Sequence, residues 1–188
     1  MSKKMIVPAI IIGVIIMIIA TLGGTYNSIV SYEQKVEEQA ANIDVTLQRR
    51  ADLIPNFVET IKGYAKHEND AIDKVTEART KLMNANGVSE QSKANDELTG
   101  AINNLLVVVE NYPDLKASAN FIQLQDELAG SENRIATARR DYNSAVNDYN
   151  TKIKKFPSNI IAGMFGFEKK DLFEASEGAK DTPKVDFN

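Results

Sequence analysis

Residues 5–22 read MIVPAIIIGVIIMIIATL, eighteen positions with no charge and no strongly polar side chain. Eight Ile, two Val and one Leu carry the stretch. A helix of this length covers about 27 Å, close to the hydrocarbon thickness of a bilayer. The branched residues favour insertion by about 3–7 kcal/mol before Pro8 and Gly13 are discounted. Beyond residue 25 the chain is polar, charged and helical in period. The sequence therefore predicts an all-α protein, with an N-terminal transmembrane helix followed by a long antiparallel four-helix up-and-down bundle.

On the N-terminal side stand Lys3 and Lys4. A lysine pair before an apolar run also opens a signal peptide. This run exceeds the usual h-region of about 7–15 residues, so an uncleaved anchor is expected. Residues 23–42 hold Lys35 as their one base, beside Glu33, Glu37 and Glu38. The positive-inside rule then leaves residues 1–4 in the cytoplasm and the rest of the chain outside it. The expectation is a single-pass protein of the bacterial cytoplasmic membrane, touching lipid through residues 5–22. With only a short tail at 1–4, no signalling domain is expected across the membrane.

On the C-terminal side the apolar periodicity marks four helices. The first runs over 26–50, with Ile29, Val36, Ala40, Ile43 and Leu47 on one stripe. Gly23 and Gly24 are a candidate hinge before it. A turn is expected at 49–52, where Asp52 caps a second helix, 53–84, and Pro55 sits in its first turn. One long helix kinked at Pro55 is the alternative. Ser89 is the expected cap of a third helix, 89–111, closed by Pro113. The fourth, 118–156, has the cleanest pattern, with Phe121, Leu128, Ile135, Tyr142 and Tyr149 seven apart. Short connections between such helices imply antiparallel neighbours. Residues 157–173 form an apolar segment beside the membrane, and residues 174–188 a polar tail expected to be disordered.

Composition excludes several chemistries. The net charge is −4, and past the anchor 20 basic face 26 acidic residues, so the basic face that nucleic acid requires is missing. The absence of Cys removes disulfides, thiolate metal sites and Cys nucleophiles. His67, the single histidine, matches no metal motif and reads as a surface residue. No phosphate loop or nucleophile motif occurs, so no catalytic residue, cofactor or metal is expected. Glu33, Glu68 and Arg50 fall at seam positions and read as ion-pair or helix-edge charges.

Three residue groups stand out instead. Arg50, Asp52, Glu110 and Asp114 converge at the membrane-distal end of the expected bundle, where Arg50 should pair with Glu110 or Asp114. Tyr-Asn recurs at Tyr26-Asn27, Tyr142-Asn143 and Tyr149-Asn150. These six are buried rings with satisfied hydroxyls, or a membrane-proximal polar network tying the first helix to the fourth. Ile160, Ile161, Met164, Phe165 and Phe167 either pack on the base of the bundle or touch the lipid interface.

Several strings resemble the LemA family of bacterial membrane proteins. They are YN (26–27), IDVTLQRR (43–50), DLIPN (52–56), KGYA (62–65) with HE (67–68), ENYPDLKA (110–117), LQDEL (124–128), ENRI (132–135) and ARRDYN (138–143). The resemblance implies an N-terminal membrane segment, a four-helix bundle, no established enzymatic activity, and work in membrane organisation or envelope assembly. The expected role is a non-enzymatic scaffold or adaptor that binds unknown membrane or envelope proteins through its bundle, with homo-oligomers as one form. An extracytoplasmic ligand-sensing bundle is the alternative.

Overall fold

The computed structural model describes residues 3–65 and 67–173, with side chains from residue 10 onward. The tail expected to be disordered, 174–188, lies outside the described residues. Among the described residues six helices follow in order: α1 Lys3–Lys62, α2 Asn69–Asn84, α3 Gly87–Val109, α4 Pro113–Lys116, α5 Ala119–Lys154 and α6 Ser158–Phe165. No strand occurs among the described residues.

The expected turn at 49–52 does not form. α1 runs unbroken through Gly23, Gly24, Asp52 and Pro55 to Lys62, so the alternative of one long helix through Pro55 is the better description. A proline inside a helix removes the N–H that would bond the carbonyl four residues back, here that of Ala51. Arg79 replaces it, donating from Nε to the Ala51 carbonyl at 2.8 Å. Asp52 caps nothing and accepts from the Gln48 side chain at 2.8 Å. The chain reverses later, over residues 63–68, and the second helix begins at Asn69. Ser89 likewise lies inside the first turn of α3. Asn86 occupies the cap, its N–H accepted by Glu90 Oε2 at 3.0 Å, and Gly87 supplies the positive φ of 78° that enters the helix.

Backbone proximity divides the chain into two units. The larger comprises residues 39–143 together with the chain from Asp171. Its contacts give the helix directions. Asp44 meets Gln91, Arg50 meets Asn95 and Thr99, and Phe57 shares a cavity wall with Ile102, so α3 runs parallel to α1. Leu47 lies by Leu82, and Ala51 by Arg79, so α2 runs against α1. Arg50 meets Glu132 and Phe57 stacks on Phe121, with centroids 5.7 Å apart, so α5 also runs against α1. The result is an up-and-down bundle of α1, α2, α3 and α5. Its core holds Ile43, Leu47, Ile54, Phe57 and Ile61 of α1, and Phe121, Leu128 and Ile135 of α5.

The smaller unit comprises residues 1–38 and 144–170. Ile29 and Val36 of α1 and Val146, Tyr149 and Ile153 of α5 are buried there, with Ile161 and Ala162 of α6. Ile10 to Leu22 carry exposed large apolar side chains, and α1 is the one helix among the described residues long and apolar enough to cross a membrane.

Candidate functional site

Two polar constructions interrupt these apolar seams. The first lies inside the bundle. Arg50 is 3% exposed, and its Nη1 donates to Asn95 Oδ1 at 2.6 Å and Thr99 Oγ1 at 3.0 Å. Glu132 Oε2 stands 2.6 Å from the same nitrogen. Nη1 has only two hydrogens, both aligned elsewhere, so Glu132 acts as a counter-charge without an aligned hydrogen bond. Burial lowers the Arg50 pKa, and the charges of Glu132 and Asp96 oppose that shift. Arg50 Nε and Asn95 Nδ2 are buried without hydrogen-bond partners. A cavity of about 200 Å³ opens beside them, walled by Phe57, Ile102, Leu128 and Glu132.

The expected distal cluster is therefore not assembled. Continuation of α1 past Pro55 places Arg50 roughly three turns before the helix end, so its counter-charge comes from mid-α5. Glu110 pairs instead with Lys116 at 2.6 Å, an exposed pair of small energetic weight. Asp114 is exposed in α4, and Asp52 is engaged by Gln48. Tyr112 donates its hydroxyl to Glu68 at 2.9 Å, and His67 is exposed.

The second construction holds the extended segment that follows α6. Asn150 Nδ2 donates to the Lys170 carbonyl at 2.9 Å, and the Lys170 N–H donates back to Asn150 Oδ1 at 3.0 Å. Asn143 treats Phe173 in the same way, at 3.0 and 2.8 Å. Each carboxamide thus mimics a neighbouring strand, pairing both backbone groups of one residue. Seven residues of α5 rise about 10.5 Å, and three residues of extended chain cover about 10 Å. The tyrosines take the seam positions. Tyr142 donates to the Asp171 carbonyl at 3.0 Å, whereas the Tyr149 hydroxyl is buried without a hydrogen-bond partner. Arg139 lies 4.3 Å from the centre of the Phe173 ring, and Lys170 Nζ is 2.9 Å from Glu33.

The asparagines therefore bind the C-terminal segment and do not tie the first helix to the fourth. Tyr26 joins a different cluster, with its ring centre 4.9 Å from Phe165 and 5.7 Å from Phe167. Asn27 is exposed, and its backbone carbonyl accepts from Ser31. Of the five candidate membrane-contact residues, Ile160, Met164 and Phe165 are exposed, Phe167 is half-buried, and Ile161 is buried and faces the core.

Two predictions concern this C-terminal segment, one on the asparagine pairing and one on the Lys170–Glu33 ion pair. Asn143→Ala combined with Asn150→Ala removes four hydrogen bonds, at about 1 kcal/mol each. Amide exchange at Lys170 and Phe173 is expected to rise by about 30-fold or more. Unchanged exchange at both amides would refute the pairing. The second concerns pH. Hydrogen bonding to Glu33 is the main cause that raises the Lys170 pKa above its ordinary value. The ion pair therefore contributes fully below the ordinary lysine value and is lost as pH rises through the raised one. Urea unfolding of the full chain in detergent should show a loss of stability in that alkaline window that Lys170→Met, with no ammonium to lose, does not show.

A family model described as the LemA family matches residues 39–187. The chain belongs to the LemA family. Magnetosome protein MamQ 2 of Paramagnetospirillum magneticum is 28% identical over 197 residues, covering 91% of this chain and 72% of the relative. Protein LemA of Metamycoplasma hominis is 28% identical over 158 residues, covering 82% and 71%. Magnetosome protein MamQ of Magnetospirillum gryphiswaldense is 25% identical over 197 residues, covering 91% and 72%. Arg50, Glu132, Asn143 and Asn150 of this LemA-family chain all lie inside the matched range. So does Arg79, which periodicity does not single out. Its signal was Pro55 itself, since any helix that continues through a proline needs a donor for the carbonyl four residues back. With its long apolar N-terminal helix, this LemA-type protein is membrane-associated.

Proposed function

We propose that this LemA-family chain is a single-pass, membrane-anchored scaffold that acts through protein contacts of its helical bundle and has no catalytic role. The observation that carries this reading is the α1–α5 face of the larger unit. Two open grooves of about 680 and 480 Å³ lie there and share Arg134. They bring the exposed apolar side chains Ile122 and Val45 among Arg49, Asp126 and Asp141. An apolar centre with a charged rim is the surface on which a partner helix docks. Relatives named for a structure, the magnetosome, and not for a reaction support the same role. Lys3 and Lys4, ahead of the apolar run 5–22, favour a bundle outside the cytoplasm.

Photo-crosslinking in membranes tests the proposal. A crosslinker at Val45 or Ile122 should trap discrete protein adducts, including a second copy of the chain if the scaffold self-assembles. A crosslinker at Asp73, exposed on α2, should not. Equal labelling from all three positions, or none, would reject the α1–α5 face as the contact surface.

One observation favours a second reading, a ligand-sensing bundle. The cavity is lined by Arg50, whose Nε is buried without a hydrogen-bond partner, together with the polar side chains of Thr99, Asn103 and Gln125. A small acceptor-bearing ligand seated there should raise Tm in the native chain and leave Arg50→Leu unaffected.

A further inference from the structure

We propose that α6 is a second membrane contact. In this arrangement Ile160, Met164 and Phe165 lie in the headgroup–acyl boundary of the bilayer that holds α1, and Lys154 and Lys155 lie at anionic headgroups. The inference rests on residues 5–22 of α1 being in the membrane and is independent of the scaffold role.

Depth is the first argument. Tyr26 stands four residues beyond Leu22, the end of the apolar run, and therefore about 6 Å outside the hydrocarbon edge. Headgroup regions occupy about 5–8 Å on each side of the core. Tyr26 thus sits at interfacial depth, where aromatic side chains concentrate. Its ring touches Phe165 and Phe167, so the end of α6 lies at the same depth.

Surface chemistry is the second argument. α6 already spends one face on the protein through Ser158, Ile161 and Ala162. A surface helix in water would turn charges outward, as α2 does with Asp73, Lys74 and Glu77. α6 instead exposes Ile160 by 51%, Met164 by 69% and Phe165 by 60%, and Phe156 just before it by 81%. An eight-residue helix that is apolar on both faces has a second apolar partner. The partner at this depth is lipid. Lys154 and Lys155 are exposed immediately before Phe156, where cationic side chains meet anionic headgroups.

The chain has no Trp, so a single introduced indole reports its own depth. The full chain carrying Met164→Trp or Phe165→Trp is reconstituted into vesicles of phosphatidylcholine and phosphatidylglycerol with brominated acyl chains. Bromines near the headgroup end should quench both probes by roughly twofold or more, and deep bromines should quench them less. Ile16→Trp, within the apolar run, should show the reverse depth preference. Val107→Trp, exposed on α3, should not be quenched. Lys154→Gln with Lys155→Gln should weaken shallow quenching in phosphatidylglycerol vesicles and leave it unchanged in phosphatidylcholine alone.

Quenching of Ile16→Trp without quenching of either α6 probe would overturn the proposal. So would a blue-shifted, unquenched α6 probe whose shift disappears as protein is diluted in lipid, since that assigns the patch to another protein copy. No quenching of Ile16→Trp would overturn the anchor and the α6 contact with it. No effect of the lysine substitutions would overturn the headgroup assignment.

Discussion

Glu132→Leu is expected to destabilise the bundle by about 3 kcal/mol, more than removal of the arginine it faces. The change strands the Arg50 guanidinium, 3% exposed, without its nearest counter-charge. Breaking a buried pair in this way costs about 3–5 kcal/mol. The lower end applies because the Glu132 side chain is 41% exposed and already partly hydrated. Arg50→Leu leaves Glu132 with Oε2 buried but with a side chain 41% exposed that can turn to water, so its cost is chiefly the unpartnered Asn95 oxygen, about 1–3 kcal/mol. The double substitution removes both charges together. It should recover at least half of the Glu132→Leu loss, measured by urea unfolding of the full chain in detergent at constant slope. Two single effects that simply add would show that Glu132 does not neutralise Arg50.

The second large effect concerns Pro55. Arg79→Leu should cost about 2 kcal/mol, because the Ala51 carbonyl then loses its one donor in a fully buried position. Pro55→Ala restores the helical N–H that this carbonyl would otherwise accept. In that background the same Arg79→Leu change should cost less than about 1 kcal/mol. An equal cost in both backgrounds would mean that Arg79 stabilises the fold by packing alone.

These two sites also mark where sequence reading ran out. The seam of α5 was legible residue by residue, because Phe121, Leu128, Ile135, Tyr142 and Tyr149 repeat every seven positions. The turn expected at 49–52 does not form, because a helix can continue through a proline when a donor from elsewhere takes the freed carbonyl. That donor lies 28 residues away, on α2. A turn at 49–52 would put Arg50 at the end of the bundle, beside Glu110 and Asp114. Extending α1 to Lys62 moved the end and set Arg50 against Glu132. The Tyr-Asn repeat was visible as spacing, but its partner was not. A carboxamide pairs with any backbone residue, so nothing in Lys170 or Phe173 advertises the match.

By itself the sequence determined the all-α class, the apolar helix at 5–22, the heptad on α5 and the LemA-family strings. Each depends on periodicity or composition within one segment, which local helix geometry converts directly into a face. The tertiary structure alone decided where α1 ends, which carboxylate meets Arg50, what the two asparagines hold, and which side of α6 is left exposed. Each of those depends on a polar or apolar group satisfied from another part of the chain, and only the packed fold brings the two together.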